Sequence, residues 1–282
     1  MPELKLPNFR KPPVVETVIG VQFDPIKGLT NAHLGAFWKT ISEVSCAGER
    51  WTKVTDAVPL TPSHERFEPE HAWSRIGLML QVSQEPPASR LQIGNESGDA
   101  MIQVQNGRLH YNWIRRPNND YLRYGKVRPK FDAVLEAFTG FLRKEGFEGL
   151  KPNQWEVTYV THIPKGSVWR SPADWAELFV GFPTPSPNPG DVQLESFAGA
   201  WHYVIPERRG RLHVDAKHAR TQDEAQMEVL RLTLTARGPV AATSTEGGCR
   251  LSDGLDLGRR VIVEAFSEMF SAEALAYWEL ER

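Results

Sequence analysis

The amino-acid sequence predicts an α+β protein built from two β-α-β-β-β-(β)-α units, residues 1–150 and 151–282. Their antiparallel sheets join with pseudo-twofold symmetry and carry their helices on one face. Three observations lead there. Short apolar runs bounded by proline, glycine or asparagine alternate with stretches whose apolar residues recur every three or four positions. The order strand, helix, several strands, helix begins again past Lys151. Similar strings also fall at matching places: Glu16-Thr-Val-Ile-Gly-Val-Gln22 lies over Glu156-Val-Thr-Tyr-Val-Thr-His162, and Val134-Leu-Glu-Ala-Phe-Thr139 over Ile262-Val-Glu-Ala-Phe-Ser267.

Taken in order, Val14 to Phe23 is β-branched and apolar between Pro12-Pro13 and Asp24-Pro25, and reads as a buried strand. Leu34, Phe37, Trp38, Ile41 and Val44 place one apolar face on a helix over Asn31–Val44. A polar, proline-interrupted stretch from Thr55 to His71 precedes strands at Ile76–Val82, Leu91–Gly94, Ala100–Gln105 and Arg108–Ile114. Asn106-Gly107 predicts a type I′ hairpin that sets Val104 against Leu109 and Ile102 against Tyr111. Phe131, Val134, Leu135, Phe138, Phe141 and Leu142 stripe a helix that stops at Gly146.

In the second half, Trp155–Ile163 reads as a strand and Ala173–Phe182 as a helix with Ser171 as N-cap and Pro172 at its first position. The proline-rich 182–190 reads as a loop. The runs Phe197–Ile205 and Arg211–Ala216 form a hairpin turning at Pro206–Gly210, and Glu228–Ala236 is the next strand. Pro239–Ser252 reads as a mobile loop; a helix over Leu257–Phe270 and a short turn capped by Ser271 close the chain.

The 282 residues are 40% apolar and carry 33 basic against 35 acidic side chains, so disorder is excluded and no whole-surface field recruits nucleic acid or acidic lipid. Cys46 and Cys249 form no CxxC pair, and neither a signal core nor a run of ~20 apolar residues is present, so a cytoplasmic, non-membrane protein is expected. Phosphate-loop, dinucleotide-binding and hydrolase motifs are missing from the sequence. No cofactor, metal or catalytic residue is predicted.

Residues 108–130 are the most unusual stretch, holding Arg108, Arg115, Arg116, Arg123, Lys126, Arg128 and Lys130 interleaved with Tyr111, Trp113, Tyr121 and Tyr124. Guanidinium groups pair with phosphate while aromatic faces stack on unpaired bases, so the mixture suits single-stranded nucleic acid. It equally suits a protein interface, and its structural alternative is arginine lying over aromatic rings for local packing. The basic turn containing Arg208 and Arg209 extends this patch if the two halves stand side by side. Tyr203 is expected to face His213, and Trp201 to face Asp215, with His202 on the opposite side of the strand, an alternation that separates the histidines and leaves no metal site. The dense 63–71 segment, Ser-His-Glu-Arg-Phe-Glu-Pro-Glu-His, reads as a charged loop. Glu16 and Glu156, each in an apolar strand, need partners; with His162 they are the titratable groups an enzyme of unrecognised class would use.

Pro12-Pro13-Val14-Val15-Glu16, Trp113 followed by Tyr121-Leu-Arg-Tyr124, and the closing Phe266, Phe270-Ser271 and Trp278 together resemble a sporadically distributed prokaryotic family of unknown function, from end to end of the chain. Leu122 departs from it, since the family often has proline there. The resemblance implies one full-length architecture without assigned chemistry, and the family's scattered occurrence points to accessory systems such as phage defence. The topology is also similar to the duplicated saddle of TATA-binding proteins, a likeness that transfers no function. The expected function is that of a non-catalytic interaction protein presenting its open sheet face and the basic-aromatic segment to a partner protein, with nucleic acid as the alternative partner.

Overall fold

The computed structural model describes residues 6–60, 65, 67, 89–117, 119–181, 194–221, 225–241 and 248–281. Its elements are β1 (Asn8–Phe9), β2 (Val14–Phe23), α1 (Asn31–Glu43), β3 (Trp51–Ala57), β4 (Arg90–Asn95), β5 (Ala100–Gln105), β6 (Arg108–Ile114), α2 (Tyr124–Lys144), β7 (Pro152–Pro164), α3 (Trp175–Leu178), β8 (Ala198–Ile205), β9 (Gly210–Arg220), β10 (Glu228–Pro239), α4 (Leu251–Met269), α5 (Ala272–Tyr277) and β11 (Leu280–Glu281). The predicted strand at Ile76–Val82 and the proline-rich loop lie outside the described residues.

Among the described residues the sheet has nine strands in the order β3-β4-β5-β6-β2-β7-β10-β9-β8, and every neighbouring pair is antiparallel. The fold is therefore α+β, as the sequence predicts. Each half lays its first strand at the centre, sends a helical segment over one face, restarts at an outer edge and meanders back to the centre. The two central strands, β2 and β7, pair with each other and form the seam between the halves. The winding repeats, but among the described residues the returning meander has four strands in the first half and three in the second.

Alternation along each strand decides which face is core. Ile19, Val21 and Phe23 of β2, and Trp155, Val157 and Ile163 of β7, point to the helical face and are buried. Over β2 and β6, α2 sets Phe131, Val134, Phe138 and Phe141; over β3, β4 and β5, α1 sets Leu34, Phe37 and Ile41, the stripes that periodicity predicts; and α4 covers β7. Each such side chain contributes roughly 1.5–3 kcal/mol on leaving water. Buried side chains of both halves belong to one continuous cluster.

Trp155, fully buried, fixes how α4 sits. A Cβ placed on Gly254 would lie 2.3 Å from its ring, on Gly258 2.9 Å, and on Gly238 of β10 2.3 Å. Two glycines one turn apart in the interior of α4 cost about 1 kcal/mol each in helix propensity. They are present because the indole occupies the space their side chains would fill.

Four departures from the sequence reading have local causes. β3 falls partly in what reads as a polar stretch because, as an edge strand, it buries only Trp51 and exposes Thr52, Lys53, Thr55 and Asp56. α2 starts at Tyr124, seven residues before the apolar stripe, and tolerates Pro129 near its N-terminus. α4 starts at Leu251, inside the predicted loop. At the Asn106-Gly107 turn the expected register holds, Val104 pairing Leu109 and Ile102 pairing Tyr111. Only Gly107 has positive φ, at 99°, so the turn is not type I′. Asn106 instead grips the loop after β2, accepting from Ile26 N at 2.8 Å and donating to Ile26 O at 2.9 Å.

Candidate binding groove on the open sheet face

The face without helices carries the even-numbered side chains of β2, β6, β7 and, beside them, the odd-numbered ones of β5, β9 and β10. Near its middle one cross-strand row runs Gln103, His110, Gly20, Glu156, Arg237, Arg211. Gly20 is the reason the row holds together. A Cβ there would sit 2.2 Å from His110 Cδ2, so only glycine lets the imidazole lie across β2 toward Glu156. His110 Nε2 then stands 3.8 Å from Glu156 Oε1, and Arg237 Nε stands 2.7 Å from Glu156 Oε2 on the opposite side.

His110 is 3% exposed and Glu156 5%. Burial drives the His110 pKa down to about 4; the guanidinium groups of Arg108, Arg237 and Arg90 push the same way, against Glu156. His110 is therefore neutral. Burial also favours the neutral form of Glu156, but the guanidinium groups of Arg237 and Arg108 outweigh it and hold the carboxyl below its ordinary value. Glu156 is the charged partner of Arg237. Flanking amides complete the row: Gln103 Nε2 donates to Asn112 Oδ1 at 2.9 Å, and Asn112 Nδ2 donates to Glu16 at 2.6 Å.

This part of the face is not bare. Leu60 exchanges hydrogen bonds of 2.9 and 2.8 Å with the Gln105 side chain. Glu65 accepts from Arg211 at 2.9 Å and meets His213 Nε2 at 3.0 Å, while the Arg211 guanidinium lies 5.7 Å from the Phe67 ring centre. Glu65, part of what the sequence presents as a charged loop, is thus pinned to β9, and its carboxyl is held below the ordinary value by His213 and Arg211 in spite of burial.

Toward the end where β2 enters, the same face opens into a groove of about 1000 Å³ across the seam. Val15, Ile114, Val160 and Val229 give it apolar surface, and Lys11, Arg115, Arg116, Arg220 and Arg231 surround Glu16 and His162. A register shift between Val14 and Glu16 turns both Val15 and Glu16 into it. Arg115 donates to Pro12 O at 3.3 Å and Arg116 to Gly98 O at 2.7 Å, contacts that fix each guanidinium by one edge. Arg220 pairs with Glu228 at 3.1 Å and Lys11 with Glu279 at 2.5 Å.

The residues singled out in sequence are distributed over five places. Arg115 and Arg116 line the groove. Tyr111 and Trp113 face the other way, into the core, Tyr111 edge-on to Trp51 and Trp113 edge-on to Tyr121. Tyr121, Arg123 and Tyr124 surround an apolar cavity of about 80 Å³ on the helical side with Phe9, Tyr159 and Phe266; Tyr121 and Tyr159 hydrogen-bond there, and Arg123 bonds Asn8 and Phe9 O. Lys126 is exposed on α2, and Arg208 and Arg209 lie at the β8–β9 turn. Arg128 is tied to Asp132 and Asp256, and Lys130 to Glu49. Alternation on β6 separates Tyr111 and Trp113 from Arg108 and His110.

The expected register of the β8–β9 hairpin is corrected. Ile205 pairs with Gly210 across a four-residue turn in which Glu207 and Arg208 take positive φ, so His202 faces His213, Tyr203 faces Leu212 and Trp201 faces Val214. The histidines share a face. Arg220, Arg231 and Arg237 escape sequence reasoning because each joins the site only through strand order, and Lys11 because it lies in the segment that leads into β2. Their signal is weak: Arg231 and Arg237 interrupt a strand that is otherwise largely apolar.

Among the described residues no helix is long and apolar enough to cross a membrane. No protein-family model and no curated protein matches the chain, so the family resemblance rests on the residues quoted for it.

Proposed function

We propose that this chain is a non-catalytic, cytoplasmic interaction protein whose groove takes an extended acidic segment of a partner protein. The observation that carries the reading is the groove itself: about 1000 Å³, lined by Val15, Ile114, Val160 and Val229, with Arg115, Arg116 and Arg231 beside Glu16, and with Lys11 and Arg220 already paired with Glu279 and Glu228. A segment with acidic residues at the rim and small apolar anchors beneath complements both properties, and complementary charge raises the association rate. The volume is at the top of the ~300–1,000 Å³ usual for small-molecule sites. A protein is favoured over nucleic acid because Tyr111 and Trp113, the aromatics a base would stack on, belong to the core. The most deeply buried titratable pair, His110 and Glu156, is 3% and 5% exposed, which favours a structural role for it.

The test is fluorescence anisotropy with a labelled peptide alternating glutamate and valine, its lysine counterpart, and a labelled oligothymidylate. The acidic peptide is expected to bind, the lysine peptide not, and Arg115→Glu with Arg231→Glu to weaken binding about tenfold or more, near 1 kcal/mol for each exposed charge pair. Equal binding of both peptides, or an unaffected double variant, overturns the reading. Tighter binding of the oligonucleotide with a steep salt dependence replaces it with the nucleic-acid alternative.

A further inference from the structure

We infer that His202 and His213 are adjacent nitrogen ligands for one divalent transition-metal ion, Cu²⁺ in preference to Ni²⁺ or Zn²⁺. The two residues are directly opposed on β8 and β9, and their Nδ1 atoms stand 2.8 Å apart. Glu65 lies 3.0 Å from the other nitrogen of His213, Nε2, and is itself held by Arg211 at 2.9 Å. A carboxylate at Nε2 keeps the proton there and leaves the Nδ1 lone pair facing His202. This is the outer-shell arrangement that orients a metal-binding imidazole.

Geometry selects the ion. Two nitrogens ~2.0 Å from one metal subtend about 90° when they are ~2.8 Å apart, the angle of neighbouring positions in tetragonal Cu²⁺ or Ni²⁺. A tetrahedral Zn²⁺ site needs the pair opened to about 3.3 Å. Between the two tetragonal ions, the general order of affinities favours Cu²⁺. Among the described residues no group of three or more His, Cys, Asp or Glu gathers around one point, so the described residues supply two ligands to the ion. The proton balance closes without an external base. Without metal, His202 donates its Nδ1 proton to His213; on binding, that proton moves to the Nε2 of His202, an exposed residue.

The experiment is titration of the full chain with Cu²⁺ alone, followed by calorimetry and electron paramagnetic resonance. One ion per chain with hyperfine coupling to two nitrogens is expected. His202→Ala, on an exposed stretch of the edge strand and not expected to disturb folding, removes this species. Glu65→Gln keeps the stoichiometry and weakens binding about tenfold. A Cu²⁺ species that survives His202→Ala unchanged, or a spectrum without nitrogen coupling, overturns the assignment. Circular dichroism of each variant separates ligand loss from unfolding.

Discussion

Replacing Gly20 by alanine tests the central polar row most directly. The backbone there is ordinary extended strand, so in isolation alanine should stabilise by about 0.5 kcal/mol through the unfolded chain. The added methyl, however, would stand 2.2 Å from His110 Cδ2 and 2.7 Å from its Nε2. Ordinary contact begins near 3.4 Å, so an enclosed imidazole must retreat by about 1.2 Å. Overpacking of this kind costs about 1–3 kcal/mol. A net loss of about 2 kcal/mol follows, or roughly 4–8 °C in Tm. The assay is urea unfolding of four proteins: parent, Gly20→Ala, His110→Ala and the double variant. Once His110→Ala has removed the imidazole the obstruction is gone, and Gly20→Ala should become neutral or slightly stabilising. If Gly20→Ala costs the same in both backgrounds to within about 0.5 kcal/mol, the coupling does not exist and the account of the row fails.

Three further outcomes follow from the same geometry. Stability should fall on acidification between about pH 6.5 and pH 4. His110 has its pKa lowered to about 4, whereas an unfolded imidazole titrates near 6.5, so the unfolded state takes up the proton first; the loss approaches about 3 kcal/mol, and His110→Gln should flatten this part of the pH profile of urea midpoints. Glu156→Gln removes the buried carboxylate that faces the partly exposed Arg237 and should cost about 2–3 kcal/mol in urea unfolding at neutral pH. Gly254→Ala should lower Tm in spite of alanine's better helix propensity, because the methyl would meet Trp155 at 2.3 Å; the loss should shrink in a Trp155→Leu background.

The elements whose side chains repeat regularly are legible in the sequence. Val14–Phe23, Ala100–Gln105 and Arg108–Ile114 are strands at the predicted bounds, since alternation and turn residues are local signals. β3 is not legible, because an edge strand that buries one residue has no pattern to show. The site is legible only in part. Arg115, Arg116, Glu16 and His162 can be singled out as residue types, but their meeting with Arg220 and Arg231 depends on β2 pairing with β7 and β7 with β10, contacts without a local trace. The basic-aromatic stretch misleads for a related reason. On a strand, composition over consecutive residues mixes two faces, and here the aromatics face one way and the central polar groups the other. The histidine pair is lost to a shift of one residue, set by the backbone of Glu207 and Arg208 in the turn.

The packing around Trp155 bears on how this sequence can change over time. One indole holds three distant positions, Gly238, Gly254 and Gly258, to a single residue type. A substitution at any of the three meets the ring, but Gly238 is also blocked by the backbone oxygen of Arg209 at 2.0 Å, so a smaller residue at 155 releases only the two helix positions and leaves a void that larger side chains there could fill. Positions 155, 254 and 258 form one heritable unit. In related chains they should vary as a set, with alanine or serine at 254 or 258 accompanying a smaller residue at 155.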